Sequence, residues 1–188
     1  MKKLFTVCLA AAVLAVPTSF ASAQEMIHAL AGTVDNVDQK DGTIAINTDD
    51  GSRGTFKAAA KLPAALDKSL RADVIPAAEF TSKSEHVIVY YIGDSEVRTA
   101  VAVKDLGHAA LEKDTGTVVR FDKHAHLLTI KNDKGTELSF HIAPNTVTET
   151  STGAVEGFKF DLDKGQSVRI TATGANGDET ALFIVPAV

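Results

Sequence analysis

The chain has 188 residues, 45% of them hydrophobic and 23% charged, with 19 basic against 24 acidic side chains. The net charge of −5 argues against nucleic acid or anionic lipid as a partner, because both are held by an excess of Lys and Arg. A single cysteine excludes an intrachain disulfide framework, and the lack of Trp with only two Tyr leaves little on which sugars or bases stack.

Residues 1–23 read as an export signal. Met1-Lys2-Lys3 is a basic start, Leu4 to Val16 is an apolar core, and Ala21-Ser22-Ala23 is a small-residue cleavage site. The expected cut precedes Gln24 and delivers the chain to the periplasm or beyond. The apolar run is too short for a membrane span. Cys8 falls inside this segment, so the remaining 165 residues hold no cysteine and exclude thiolate chemistry. Without Lys2 and Lys3 the basic residues fall to 17 against 24 acidic, a net charge of about −7.

Met26-Ile27-His28-Ala29-Leu30 leads into Gly32-Thr33-Val34-Asp35-Asn36-Val37-Asp38, which reads as a first strand. Thr43 to Ile46 alternates apolar and small or polar residues, as a half-buried strand does. Asp49-Asp50-Gly51-Ser52 is a turn, and Phe56 sits on the strand after it. Pro63 to Leu70 reads as a short helix with Pro near its first turn. Val87 to Ile92, with His86 as its entry residue, and Thr99 to Val103 form a last strand pair around a turn at Gly93-Asp94-Ser95.

The pattern then repeats. Gly32 falls on Gly116, Ile44 on Leu128, Ile46 on Ile130, Gly51 on Gly135 and Phe56 on Phe140, each 84 residues on. Val87 falls on Val168 and Thr99 on Thr180, 81 residues on, so the first copy carries three extra residues in its middle. In the second copy Asn145 to Gly157, rich in Thr, Ser and Gly, is expected as loop. The last turn is expected at Gly174-Ala175-Asn176-Gly177.

Five short strands interrupted after the third are the count for a small barrel of the OB type. The expected fold is all-β: two tandem OB-like β-barrels, over 24–106 and 107–188. One Greek-key β-sandwich with a shared core is the alternative.

The second copy opens Gly116-x-Val118-x-x-Phe121-Asp122 and carries Gly165-Gln166-Ser167-Val168 before its last strands. In this it resembles small exported OB-like domains of bacteria, one group of unknown function and one of periplasmic copper and silver chaperones. The resemblance implies the barrel fold. The chaperones hold metal through a Trp, Met residues and a His, whereas this chain has no Trp and only Met26 beyond Met1. The metal-binding part of the resemblance therefore fails.

His124 and His126, in His-Ala-His, share one face if the segment is a strand and are the candidate metal ligands. At the same place the first copy reads Lys40-Asp41-Gly42, which makes the segment an exposed hairpin tip. His141, the nearest third ligand, is expected on the opposite face. No cofactor is expected, with weak Cu or Zn binding by the imidazoles as the alternative. His28 and His108 hold matching places in the two lead-ins and are expected to be packed or capped. Asp161-x-Asp163-x-Gly165 lacks the other oxygens of a calcium loop and reads as a turn.

Two apolar segments are candidate contact surfaces: Tyr90 with Tyr91, and Phe158 with Phe160. Tyr90, Tyr91 and Ile92 cannot all face one core, so one tyrosine is expected between the copies. No nucleophile, phosphate loop or zinc motif stands out. The expected function is non-catalytic binding or structure in the cell envelope, with an unknown protein or small molecule as partner. The alternatives are metal handling through the His-x-His pair, and an enzyme with a site between the copies. The enzyme reading requires His28, His108 or His141 to meet an acid in a cleft.

Overall fold

The computed structural model describes residues 26–63, 73–93, 98–174 and 179–186. The expected signal segment, most of the expected helix after Pro63, and the residues of the expected last turns that follow Gly93 and Gly174 lie outside them. No described helix is long and apolar enough to cross a membrane.

The chain is all-β, with two β-sheet domains. The first holds β1 (His28–Asp38), β2 (Thr43–Thr48), β3 (Arg53–Ala58), β4 (Val74–Pro76), β5 (His86–Ile92) and β6 (Arg98–Gly107). The second holds β7 (Glu112–Asp122), β8 (Leu127–Asn132), β9 (Glu137–Thr150), β10 (Gly153–Glu156), β11 (Ser167–Thr173) and β12 (Glu179–Pro186). In the first, pairing runs β1-β2-β3-β6-β5 and returns to β1; in the second it runs β7-β8-β9-β12-β11 and returns to β7. Each ring has one parallel contact at the same place, β3 with β6 and β9 with β12. β4 adds to the outside of β6, and β10 to β9.

The repeat extends to irregularities that no composition argument reaches. A register shift lies between Val34 and Asn36, and its counterpart between Val118 and Arg120. A second lies between Tyr90 and Tyr91, and its counterpart between Thr171 and Ala172. Such bulges bend a strand, which helps a five-stranded ring to close. Gly32 and Gly116 match for a steric reason: a Cβ at either would press on a facing backbone carbonyl, Asn47 or Lys131.

Inward residues build two matched cores. Val34, Ile44, Ile46 and Phe56 are at most 2% exposed in the first, as are Val118, Leu128, Ile130 and Phe140 in the second. The segment expected as loop from Asn145 is instead the end of β9, a turn and β10. Thr146, Val147 and Thr148 are β-branched and buried, so they carry the strand on where Ser/Thr content alone suggests a loop.

A third cluster joins the rings. Ala29, Ala31, Ile88 and Tyr90, on the outer face of β1 and β5, pack against Val147 and Phe183 of the second ring. Strands β1 and β5 are thus buried on both faces, which accounts for the unbroken apolar run Val87 to Tyr90. Repeat-matched positions on β7 and β11 are Lys113, Thr115, Arg169 and Thr171. There the outer face stays polar, and no third ring covers it among the described residues.

Candidate functional site

That polar face forms one wall of a cleft of about 340 Å³ at the junction of the rings. The β2–β3 turn of the first ring supplies the facing wall, with Thr48, Asp49, Asp50 and Ser52. Ala29, Leu30, Phe183 and Val185 give it an apolar floor, and Tyr91, Arg98 and Glu149 close one side.

The turn is held in place locally. Asp49 N–H donates to the Ala31 carbonyl at 2.9 Å, Thr48 N–H donates to the Ser52 carbonyl at 2.8 Å, and Gly51 N–H donates to the Thr48 carbonyl at 2.9 Å. Asp49 then reaches across the junction. Its carboxylate accepts from the Thr171 hydroxyl at 2.6 Å and pairs with Lys113 at 2.7 Å. Asp50 accepts from the Thr48 hydroxyl and from the Ser52 N–H at 2.9 Å. The Thr48 hydroxyl, then the Ser52 amide, stabilise the carboxylate form and pull Asp50 down to about 2.

Glu149 makes a second bridge. One oxygen accepts from His28 Nδ1 at 2.7 Å and the other from the Ala29 N–H at 2.7 Å. The His28 ring lies tilted beside Tyr91, centroids 5.6 Å apart, and the Arg98 guanidinium sits 5.3 Å over the Tyr91 ring. His28 therefore meets an acid beside a cleft, as the enzyme reading required. Both oxygens of Glu149 are nonetheless spent on β1, which makes the pair a clamp between rings.

Glu112 and Asp114 alternate on β7, and Glu179 begins β12. Their carboxylates lie within 4.8 Å of one another, the one group of three potential metal ligands among the described residues. Asp114 matches Leu30, a position packed on the first core, so the second ring places a carboxylate where the first has a hydrocarbon. Burial first, then the charge of Glu112, raises the pKa of both Asp114 and Glu179. Three oxygens are fewer than the six to eight a Ca²⁺ ion takes, so any such site is weak.

This fixes the sign of a pH effect. The folded pKa of Glu179 lies above its unfolded value of 4.5, so the stability it contributes is full below that value and is lost as pH rises through the folded pKa. Glu179→Gln is expected to raise the melting temperature at pH 7 and to give no gain near pH 4. A gain of the same size at both pH values would show that the charge is not the cause.

The histidines are scattered. His124 and His126 stand in the β7–β8 turn, where Asp122 accepts from the N–H of His124 and Ala125 at 3.1 and 3.0 Å. Asp38 makes the same staple in the first ring. His126 has φ 53°, the left-handed geometry that Gly42 holds there with φ 61°. Its ring stacks on Phe158 at 3.7 Å. No described third ligand joins the pair. His141 is exposed on β9 opposite Leu127. His108 lies 3.2 Å from Glu85 on the surface, and His86 contacts Thr33.

Tyr90 is fully buried between the rings and donates to Glu156 at 3.2 Å, while Tyr91 is half-buried at the cleft. Burial, then the Glu156 charge, pushes the Tyr90 hydroxyl far up. Phe160 is 4% exposed in the second core and stacks on Phe121, with Phe158 packed at the core's edge. Asp161 pairs with Lys123, and Asp163 is tied to Gln166 in a turn.

No protein family and no curated protein matches the chain. Among solved structures, the crystal structure of Ag(I)CusF aligns with 42% of this chain and 100% of its own length, at 16% identity and a TM-score of 0.34. The likeness is weak.

Sequence reasoning missed Asp49, Lys113, Glu149, Arg98 and Arg169. The repeat held a usable signal for two of them: Lys113 and Arg169 are polar where the first copy has Ala29 and Ile88.

Proposed function

We propose that the protein is an exported, non-catalytic binding protein of the cell envelope, built from two OB-like barrels that hold a small ligand between them. The observation that carries this reading is the cleft: it is lined by both rings, with charged walls over an apolar floor. Ligand sites commonly combine an apolar lining with a few placed polar groups, and junctions between domains favour them. At about 340 Å³ it lies at the small end of such sites, so the ligand is a small molecule.

The test is a panel of small organic acids, amines and sugars followed by amide chemical shifts and melting temperature. At least one class is expected to shift Ala31, Asp50 and Thr171 and to raise the melting temperature. Thr115→Trp, which fills the cleft from the exposed face of β7, is expected to abolish both effects. Binding that survives Thr115→Trp, or no binding by any class, rejects the cleft.

The carboxylate group of Glu112, Asp114 and Glu179 favours a second reading, weak binding of a divalent cation. Millimolar Ca²⁺ should then raise the melting temperature of the wild type and not of Glu179→Gln. Equal shifts in the two proteins would remove this reading.

A further inference from the structure

We infer that the ligand of the cleft is a small organic carboxylate, held by Arg98 and Arg169 with its apolar part on the floor between them. This deepens the binding reading and rests on it.

The polar groups still free to bond decide the charge of the ligand. Four carboxylates line the cleft. Asp49 is taken by Lys113 and Thr171, Asp50 by Thr48 and Ser52, and Glu149 by His28 and the Ala29 N–H. Asp114 is drawn into the cluster with Glu112 and Glu179. Asp49 and Glu149 are thus occupied at both oxygens, whereas Asp50 Oδ2 and the Asp114 carboxylate have no donor among the described residues. Of the three cations, Lys113 is spent on Asp49. Arg98 lies over the Tyr91 ring, and Arg169 acts on Asp50 through its charge without forming an ion pair. Among the described residues neither guanidinium has a carboxylate partner. A guanidinium offers five N–H donors in a fork that matches the two oxygens of a carboxylate.

At Asp49 and Glu149 a cationic ligand would have to displace protein donors already at 2.6–2.7 Å. An anion meets donors that are unspent. Phe183, Leu30 and Ala29 beneath them favour a hydrocarbon tail over a fully hydrated inorganic ion. Asp50, held in its carboxylate form, and Asp114 are the groups that oppose the incoming charge.

The experiment titrates the wild-type protein with hexanoate, hexanamide, hexylamine and sulfate, read by calorimetry and by Arg side-chain N–H shifts. Hexanoate is expected to bind best and to shift both guanidinium signals. Charge-assisted hydrogen bonds are worth about 1.5–3 kcal/mol, so Arg169→Met or Arg98→Met should weaken hexanoate by about tenfold or more. Asp50→Asn should tighten it. Arg169 is exposed, so its variant tests the claim even where Arg98→Met folds poorly. Hexylamine or hexanamide binding as well as hexanoate, or hexanoate binding unchanged in both Arg variants, overturns the carboxylate and leaves the cleft. If hexanoate binds equally well to Thr115→Trp, or if no probe and no panel compound binds, the cleft reading fails with it.

Discussion

Lys104→Met is expected to destabilise the fold by about 3 kcal/mol or more, the cost of leaving a buried charge without its partner. Lys104 is 4% exposed on β6 of the first ring. It donates to the Asn145 carbonyl at 3.0 Å and pairs with Asp73 at 2.8 Å and with Glu156 at 3.9 Å. Asn145 and Glu156 belong to the second ring, and Glu156 also accepts from Tyr90. The methionine fills similar space, so the loss is electrostatic and comes from Glu156, whose side chain is 6% exposed. Lys104→Met/Glu156→Gln removes both charges and keeps an acceptor for Tyr90. It should regain most of the stability, with a coupling of at least about 1 kcal/mol between the two sites. Urea denaturation of the four proteins measures this. A double variant that costs the sum of the singles would show that the two charges do not act as a pair.

Phe140→Ala should cost about 3–5 kcal/mol, and Phe56→Ala about the same. Both rings are fully buried, at matched positions 84 residues apart. The more telling quantity is the shape of the melting curve. The apolar cluster between the rings and the Lys104 network couple them, so each variant is expected to lower one shared transition. For a chain of this size, ~2–4 °C per kcal/mol predicts a fall of about 6–20 °C. Calorimetry decides. If Phe56→Ala moves an early transition and leaves a later one in place, the rings unfold independently and the junction is weaker than its packing implies.

Much of the fold was legible because its signals are local. Gly32 and Gly116 recur where a Cβ cannot fit, and Ile44/Ile46 and Leu128/Ile130 recur where alternate side chains face a core. Asp38 and Asp122 recur where a carboxylate staples a turn. Each is set by neighbours a few residues away or by the next strand. The Asn145 segment misled because Thr is common in loops and strands alike, and burial decides between them.

The candidate site was far less legible. His124 and His126 drew notice as a residue pair, yet the cleft lies elsewhere and is built from residues distant in sequence. Asp49 meets Thr171 across 122 residues, and His28 meets Glu149 across 121. No spacing rule reaches that far in a single chain.

The sequence by itself determined the repeat, the five strands that make each ring and the inward faces, because period-two alternation and turn chemistry act within one ring. Only the tertiary structure decided what the outer faces do. Ala29, Ala31, Ile88 and Tyr90 became an interface because the second ring docks there. Their counterparts Lys113, Thr115, Arg169 and Thr171 became the wall of a cleft, because nothing docks on them among the described residues and the Asp49 turn reaches over. An apolar face gains by losing water only when a partner covers it, and the partner's position is a property of the whole fold.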